Sequence, residues 1–395
     1  MPARFAAPRL EDELILLCSR VRPDEQTVER IRSIASSQVN WEYIYELAQR
    51  HSVLALVYSQ LNATSSDVPV TWLTRLRKNY QDNLARNVYL TAELVRILQL
   101  FAAAGIESVP YKGPALALLA YGNIGLRRFV DLDILMRKTD VLRAAEILEA
   151  QGYACDMPWT RAQQAVLLRT QHNLPLSRES GRLIIELHWE VASEMFAPSL
   201  QFEDFVGRLD TMRLNGVAVK TLAIEDLLLS LCVHGSKHLW ERLAWICDVA
   251  ELSKTGIDWP TLLERSRSAG NERMLLLGLY LSNLLLDSPL PAEVKARLST
   301  DRNIATLGDK LVERLFSSAG ETPATFGESI KFNWAIRSGW KSRMNYCRLL
   351  MRPTDADVRT LALPRALSFV YYLVRPIGLL KRDWQRRSLA KIQAT

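Results

Sequence analysis

The amino-acid sequence predicts an α+β fold in which a small mixed β-sheet is flanked by N-terminal and C-terminal helical regions. Three observations support this prediction. Residues 71–104 have the apolar spacing of a long amphipathic helix, which Gly105 ends. Residues 106–110 form a short β-type run, and residues 131–136 alternate charged and apolar side chains as a half-buried strand does. From residue 224 onwards the helical spacing returns, so we expect helices on both sides of the sheet.

The length of the chain, 395 residues, is enough for two or three cooperative units, because a single core rarely grows to that size. An apolar content of 48% with 24% charged residues is typical of a globular protein and excludes wholesale disorder. The pattern predicts four parts along the chain. They are an N-terminal helical region at 1–104, an α/β core at 105–222, a helical region at 223–316 that completes a cleft over the core, and a C-terminal helical extension with a basic tail at 317–395.

Turn and cap signals refine the elements. Pro23 is expected to start a helix, and Thr139 is expected to cap a helix that ends at Gly152. Two hairpins are predicted: one joins 172–179 to 183–191 through Ser180-Gly181, and the other joins 210–214 to 217–222 through Asn215-Gly216. The segment 317–327, which is rich in small residues, is a weak boundary.

The charge is concentrated at the C-terminal end. The net charge is +7, and residues 375–391 carry six basic residues against one acidic residue, so the rest of the chain is close to neutral. A nucleic-acid-binding face over the whole protein is therefore not indicated. The tail is interpreted first as a solvated helix, with contact to an anionic lipid surface or to nucleic acid as the alternative. The apolar segment 369–380 is too short to span a membrane.

Cysteine usage and the N-terminal sequence predict a cytoplasmic protein. The acidic residues 11–13 follow the start without the apolar stretch of a secretory signal, so we expect no export. The five cysteines are widely spaced and without a C-x-x-C pair, which predicts reduced thiols in the core.

Two aspartates mark the segment that is expected to carry chemistry. Asp131 and Asp133 lie two residues apart in an extended run, so their carboxylates leave the same face. Two like charges so placed call for a cation, and Mg²⁺ suits them because it takes oxygen ligands and keeps positions for phosphate oxygens. Upstream, a strand-to-helix turn at Lys112-Gly113 is expected to present backbone N–H groups to an anion.

A third carboxylate is expected from the strand that contains Glu186, His188 and Glu190 on one face. A half-buried strand with its polar face in water has the same alternation, so the pattern gains weight only in combination with the two aspartates. His188 is interpreted either as a neighbour of a metal ion or, more commonly for such a residue, as an ordinary strand histidine. No His/Cys set has zinc-ligand spacing, and no G-x-S-x-G or Walker-type loop is present.

Taken together, separate blocks of the sequence resemble the nucleotidyltransferases of the DNA polymerase beta-like superfamily, and within it a largely uncharacterised bacterial branch. The resemblance covers roughly residues 105–250. Its blocks are Lys112-Gly113, Arg127 four residues before Asp131-x-Asp133, Glu186-Leu187-His188-Trp189, and the run from His234 to Asp248. The chain departs from the wider superfamily in having Lys-Gly-Pro where Gly-Gly or Gly-Ser is commoner, and Glu as the third acid where Asp is frequent.

The resemblance implies a mechanism and a set of site residues. Two Mg²⁺ ions, for which Mn²⁺ could substitute, would be held by the catalytic carboxylates Asp131, Asp133 and Glu186 while an acceptor attacks the α-phosphate and pyrophosphate leaves. Glu186 would hold one ion or act as the general base. The residues expected to bind the nucleotide are Lys112, Gly113, Arg127, His234 and Lys237.

The run from His234 to Asp248 allows two interpretations. Positions 234, 237, 238, 241 and 245 share one side of a helix, as in a packed helix with an exposed polar stripe. In the functional interpretation, His234 or Lys237 reaches the triphosphate, and Asp248 anchors Arg242 or a neighbouring strand.

The function predicted from the sequence is transfer of a nucleoside monophosphate, with AMP from ATP as the first choice, to a hydroxyl or phosphate of a small molecule, a sugar or a modified peptide. The first alternative is a non-catalytic nucleotide-binding scaffold that keeps the same fold. A further alternative is a toxin–antitoxin type enzyme that nucleotidylates a protein.

Overall fold

The structure is a computed structural model that describes residues 9–64, 67–155, 168–169, 171–194, 196–317 and 324–351. The predictions for the basic tail at 375–391 and for the segment 369–380 therefore lie outside the described residues, as does most of the predicted boundary at 317–327. Within the described part, no helix has the length and apolar character needed to cross a membrane.

A four-stranded mixed sheet lies at the centre of the fold. It consists of β1 (Ser108–Pro110), β2 (Leu132–Met136), β3 (Asn173–Arg178) and β4 (Leu183–His188), in the order β1-β2-β4-β3. The β1–β2 and β3–β4 pairs are antiparallel, whereas β2 and β4 are parallel. The predicted small mixed sheet is confirmed, and its two central strands are those that carry the predicted carboxylates.

Both predicted hairpins form. β3 and β4 are joined through Ser180 and Gly181, which have φ values of 54° and 84°. A separate two-stranded sheet consists of β5 (Asp210–Leu214) and β6 (Val217–Thr221). The intervening Asn215 and Gly216 have φ values of 48° and 80°, because a two-residue hairpin turn of this kind needs a left-handed backbone at both positions.

Helices flank the sheet on both sides in sequence, which confirms the predicted α+β class. Those before it are Leu10–Cys18, Glu25–Ala35, Trp41–Arg50, Leu54–Thr64 and Val70–Ala103. Those among the strands are Gly113–Tyr121, Val141–Glu149 and the short Phe202–Phe205, which a 3₁₀ turn at Val206–Arg208 follows. Those after it are Ile224–Lys237, Leu243–Leu252, Trp259–Ser268, Glu272–Leu286, Ala292–Thr300, Arg302–Leu315, Phe326–Ala335 and Trp340–Met351.

Two predicted helix starts are wrong by about one turn or less. The helix expected at Pro23 begins after Asp24, whose carboxylate accepts a hydrogen bond from the Thr27 N–H at 2.8 Å and so caps the helix. The helix expected to be capped by Thr139 begins after Asp140, and no side-chain hydrogen bond caps it. Propensity places a helix start only to within a few residues when several cap-forming side chains stand together.

The buried apolar residues form two clusters. The smaller cluster fills the space between the sheet, the C-terminal half of Val70–Ala103 and the helix Val141–Glu149. The larger cluster joins the N-terminal helices to the helices after residue 224. The helix Gly113–Tyr121 contributes to both, with Ala117 in the smaller and Leu116 in the larger. The four-part division of the chain stays a prediction.

All five cysteines lie in the described part, and none of them forms a disulfide bond there. Cys18, Cys232 and Cys247 are buried, as the sequence predicts for core thiols, whereas Cys155 and Cys347 are only partly buried.

Candidate functional site

A cavity of about 1150 Å³ opens over the two central strands of the sheet, β2 and β4. It is lined from one side by the N-terminal helices, through residues such as Tyr45 and Arg75, and from the other by the chain between residues 234 and 245. Every predicted site residue except Gly113 lines this cavity, and Gly113 is adjacent to one that does. Those in the lining are Lys112, Arg127, Asp131, Asp133, Glu186, His234 and Lys237.

Strand register brings two of the predicted carboxylates together. Asp133 on β2 pairs in register with Glu186 on β4, and because the two strands are parallel their side chains leave the same face. The apolar neighbours Leu132, Ile134 and Ile185 are almost completely buried in the core. The alternation seen in the sequence therefore separates a core face from a cavity face.

A compact cluster of possible metal ligands on these two strands consists of Asp133, Glu186 and His188. One donor atom of each lies within 4.8 Å of the others. His188 Nε2 is 3.0 Å from Asp133 Oδ1 and 3.1 Å from Glu186 Oε2. The sequence favoured an ordinary strand histidine at position 188, but the structure places this side chain between the two carboxylates.

Asp131 lies beside the ligand cluster. It directly precedes β2, lines the cavity and is not one of the three grouped residues. Burial and the neighbouring carboxylate of Asp133 raise the pKa of Asp131 above its ordinary value. Its predicted role as a metal ligand stays a prediction.

The turn at Lys112-Gly113 lies directly against the cluster. Lys112 Nζ is 3.1 Å from Asp133 Oδ1, and both side chains are largely buried. Gly113 begins the helix Gly113–Tyr121 with a φ of +52°, and a Cβ atom there would lie 3.5 Å from the carbonyl oxygen of Asp131. Pro114 has no N–H, but the N–H groups of Gly113 and Ala115 have no partner within this helix, so the turn offers donors and the positive end of the helix dipole.

The cluster holds its carboxylates ionised. Burial alone would raise the pKa of Asp133, but Lys112 and His188 outweigh it, so that pKa lies well below the ordinary value. The His188 imidazole is the main cause of a lowered pKa at Glu186. Burial opposes protonation of His188, yet the two carboxylates outweigh it and raise its pKa. The cluster therefore favours positive charge at its centre.

Arg127 is fixed by a buried ion pair. Its guanidinium donates to both carboxylate oxygens of Asp248, at 2.8 and 3.0 Å, and the Tyr121 hydroxyl donates to the same carboxylate at 2.7 Å. Asp248 was expected to anchor Arg242 or a neighbouring strand; it holds Arg127 instead, whereas Arg242 lies over the Trp245 ring at 5.7 Å. The charge of Arg127 is thus largely neutralised beside the cavity.

The wall between residues 234 and 245 is not one helix, contrary to the sequence expectation of a single helical side. The helix Ile224–Lys237 ends there, and Leu239 and Trp240 both have a φ of 52° before the next helix begins at Leu243. The Trp240 ring is completely buried, and a Cβ atom at Gly235 would lie 2.6 Å from it. The indole therefore packs where only a glycine leaves room, and the chain reverses over it.

Imidazole and indole rings form the surface of this wall. The His234 ring centroid is 4.7 Å from that of His238 and 5.3 Å from that of Trp245. Burial lowers the pKa of His238 to about 4 and also lowers that of His234. The rings are therefore neutral near pH 7 and offer flat, weakly polar surfaces.

Two further residues of the cavity were not singled out in the sequence. His172 Nε2 lies 2.9 Å from Lys237 Nζ, and burial lowers the pKa of His172 to about 2 and that of Lys237 to about 8. Asn173 donates to Glu186 Oε2 at 2.7 Å. Asn173 pairs in register with His188. A polar residue opposite the strand that carries Glu186 and His188 is therefore the sequence signal that could have identified Asn173.

The cluster fits a divalent cation by the chemistry of its donors. Two ionised carboxylates and an imidazole are a common set of metal ligands. Both ring nitrogens of His188 are buried. Nε2 contacts the two carboxylates only as an ion pair, and Nδ1 makes no hydrogen bond within the described part of the chain, which is costly unless a further group pairs with it.

A mixed sheet with carboxylates on adjacent strands, next to a helix that starts at the Lys112-Gly113 turn, is the arrangement expected of a nucleotidyltransferase core. The chain belongs to the family described as uncharacterised nucleotidyltransferases, whose family model matches residues 37–287, more than half of the chain. The family predicted from the sequence is confirmed, and the match extends into the N-terminal helices. No curated protein and no solved structure gives a significant match.

Proposed function

We propose that this nucleotidyltransferase transfers a nucleoside monophosphate, AMP from ATP in the first instance, to a hydroxyl or phosphate of a small molecule, a sugar or a modified peptide, releasing pyrophosphate. The observation that carries the proposal is the in-register pair Asp133 and Glu186 beside the start of the helix Gly113–Tyr121. Carboxylates bind cations, and backbone N–H groups at a helix start bind anions. Side by side, they suit a substrate such as a nucleoside triphosphate, which is a polyanion with bound cations.

Each residue has a proposed task. Asp133 and Glu186 hold a divalent cation, Mg²⁺ in the first instance with Mn²⁺ as a substitute. Asp131 is a ligand of a second ion, together with Asp133. When bound, such ions neutralise charge on the reacting phosphate. Lys112 moves from Asp133 to a phosphate oxygen, since its four-carbon stem permits the change of partner. Lys237 adds a second ammonium to the triphosphate.

The neighbouring groups orient these side chains. Asn173 holds Glu186 through its 2.7 Å hydrogen bond, and Asp248 holds Arg127 at the cavity wall. The flat wall that includes His234 is placed to stack on a nucleobase or on the acceptor. A cytoplasmic location remains part of the proposal, on the basis of the free cysteines.

The test is pyrophosphate release with each of the four nucleoside triphosphates against a metabolite pool. We expect Asp133→Asn and Asp131→Asn to abolish release without unfolding the protein. Glu190→Gln is the matched control, because Glu190 follows the same strand but does not line the cavity. Turnover retained in both aspartate variants would refute the proposal.

A second function, a nucleotide-binding scaffold without catalysis, is favoured by the Lys112–Asp133 ion pair. A carboxylate that an ammonium already neutralises has less need of a metal ion. If the chain is a scaffold, ATP with Mg²⁺ raises the melting temperature but no acceptor elicits pyrophosphate release. A rise that Asp133→Asn cancels, together with release from the wild type, would exclude the scaffold.

A further inference from the structure

The Asp133, Glu186 and His188 cluster contains a nitrogen ligand where a magnesium site would have oxygen alone. His188 is nearly inaccessible to solvent, with 4% of its side chain exposed, and its Nε2 faces both carboxylates. An ordinary strand histidine in such a place would donate a directed hydrogen bond. In the described part of the chain neither ring nitrogen of His188 does so: Nε2 contacts the two carboxylates as an ion pair, at 3.0 and 3.1 Å, and Nδ1 makes no hydrogen bond.

Two separations within the cluster are those of neighbouring ligands around one ion. Ligands at right angles around an octahedral ion, with bonds of about 2.1 Å, lie about 3 Å apart. His188 Nε2 lies 3.0 Å from Asp133 Oδ1 and 3.1 Å from Glu186 Oε2. His188 Nε2 could therefore be the neighbour of both carboxylate oxygens in the coordination sphere of one ion.

A neighbouring side chain already orients one of the two carboxylates. Asn173 donates to Glu186 Oε2, the oxygen that faces His188, at 2.7 Å. Groups that hydrogen-bond metal ligands in this way fix the ligand geometry before the ion binds.

We propose that Asp133, Glu186 and His188 form a mixed nitrogen–oxygen site that selects a divalent first-row transition-metal ion, such as Mn²⁺ or Co²⁺, over Mg²⁺. Imidazole nitrogen binds these ions better than it binds Mg²⁺. Mg²⁺ prefers oxygen ligands and does not readily give up its bound water. The inference rests on the proposed function only for the location of the ion. It differs from the proposed function in the choice of ion, because it puts an ion that accepts a nitrogen ligand in the place of Mg²⁺.

The first experiment measures direct binding to the whole chain without nucleotide. Mn²⁺ is the probe, because its unpaired electrons make the bound ion visible to electron paramagnetic resonance. We expect the affinity for Mn²⁺ to be at least about tenfold higher than the affinity for Mg²⁺, which is measured by competition. The affinity for Co²⁺ should be higher than that for Mn²⁺. His188→Asn, which replaces the nitrogen by an amide oxygen, should weaken Mn²⁺ binding by about tenfold or more while changing Mg²⁺ binding far less.

The matched control is His238→Gln. His238 lines the same cavity but is not in the cluster, so this variant should keep the wild-type preference for Mn²⁺. Equal losses of Mn²⁺ and Mg²⁺ affinity in His188→Asn, or no loss of either, would overturn the inference.

A second measurement needs no variant and so remains decisive if His188→Asn fails to fold. Pulsed electron paramagnetic resonance of Mn²⁺ bound to the wild-type chain should show magnetic coupling to an imidazole nitrogen, and the coupling should persist in His238→Gln. A spectrum without nitrogen coupling would overturn the ligand assignment. Conversely, a nitrogen-coupled Mn²⁺ in a chain that never releases pyrophosphate would refute the proposed function and leave the metal site intact.

Discussion

His51 should make the stability of the protein depend on pH in a way that can be calculated. This side chain is 1% exposed and follows the helix Trp41–Arg50. Its Nδ1 accepts a hydrogen bond from the Leu243 N–H at 3.3 Å, so the proton is on Nε2, which donates to the Leu315 carbonyl at 3.2 Å. One neutral imidazole thus caps the helix that begins at Leu243.

Protonation of His51 would put two donors against each other at Leu243, and burial already disfavours the charge. Burial is the main cause, with help from Arg50, of a pKa of about 4. In the unfolded chain the pKa is about 6.5, so the unfolded state takes up a proton that the folded state refuses as the pH falls below that value. The contribution of neutral His51 to the free energy of unfolding is therefore complete above about pH 6.5 and is lost as the pH falls from there to about 4.

The two pKa values give a loss of about 2 kcal/mol in the free energy of unfolding between about pH 7.5 and about pH 5. The assay is urea-induced unfolding, followed by circular dichroism, at both pH values. His51→Asn is the comparison, because its amide oxygen can accept from the Leu243 N–H but cannot take up a proton. Its loss on acidification should be smaller than that of the wild type by about 2 kcal/mol. Equal losses in the two proteins would refute the assignment of a neutral His51.

Three further predictions concern the cavity wall and the cluster. Gly235→Ala places a Cβ atom 2.6 Å from a buried indole and should lower the free energy of unfolding by about 1–3 kcal/mol in urea titrations, whereas Gly256→Ala, in open space, should change it little. Asp248→Ala strands the buried charge of Arg127 and should cost about 3–5 kcal/mol, much of which the added change Arg127→Leu should restore in the same titrations. Lys112→Met removes a cation from the cluster, so Mn²⁺ titrations without nucleotide should show an affinity raised by about tenfold; an unchanged affinity would mean that the ammonium does not compete with the ion.

Local sequence signals predicted the parts of the fold that depend on neighbouring residues. The Asn215-Gly216 turn forms because its backbone angles suit these residue types, whatever the rest of the chain does. The face that carries Glu186 follows from two-residue alternation in one strand, and so does its proximity to Asp133 once the two strands are neighbours. These features required no knowledge of distant contacts.

Long-range pairing explains what the sequence did not predict. Arg127 and Asp248 lie 121 positions apart, and no local pattern distinguishes Asp248 as the partner of Arg127 from a partner of Arg242. The reversal at Leu239 and Trp240 has no glycine or proline to mark it, because it depends on the space that Gly235 and Gly278 leave for the indole. His188 was undervalued for the same reason: its neighbours belong partly to another strand.

Under the proposed function, the parallel pairing of β2 with β4 makes metal binding depend on the folding of the sheet. Asp133 and Glu186 belong to separate strands, and the helix Val141–Glu149 and the strand β3 lie between them in the chain. A chain that is still being synthesised, and has not yet produced β4, holds one acidic residue of the pair without the other. At the proposed metal site, the affinity for a divalent ion therefore depends on the docking of β4, the later of the two strands in the chain, beside β2.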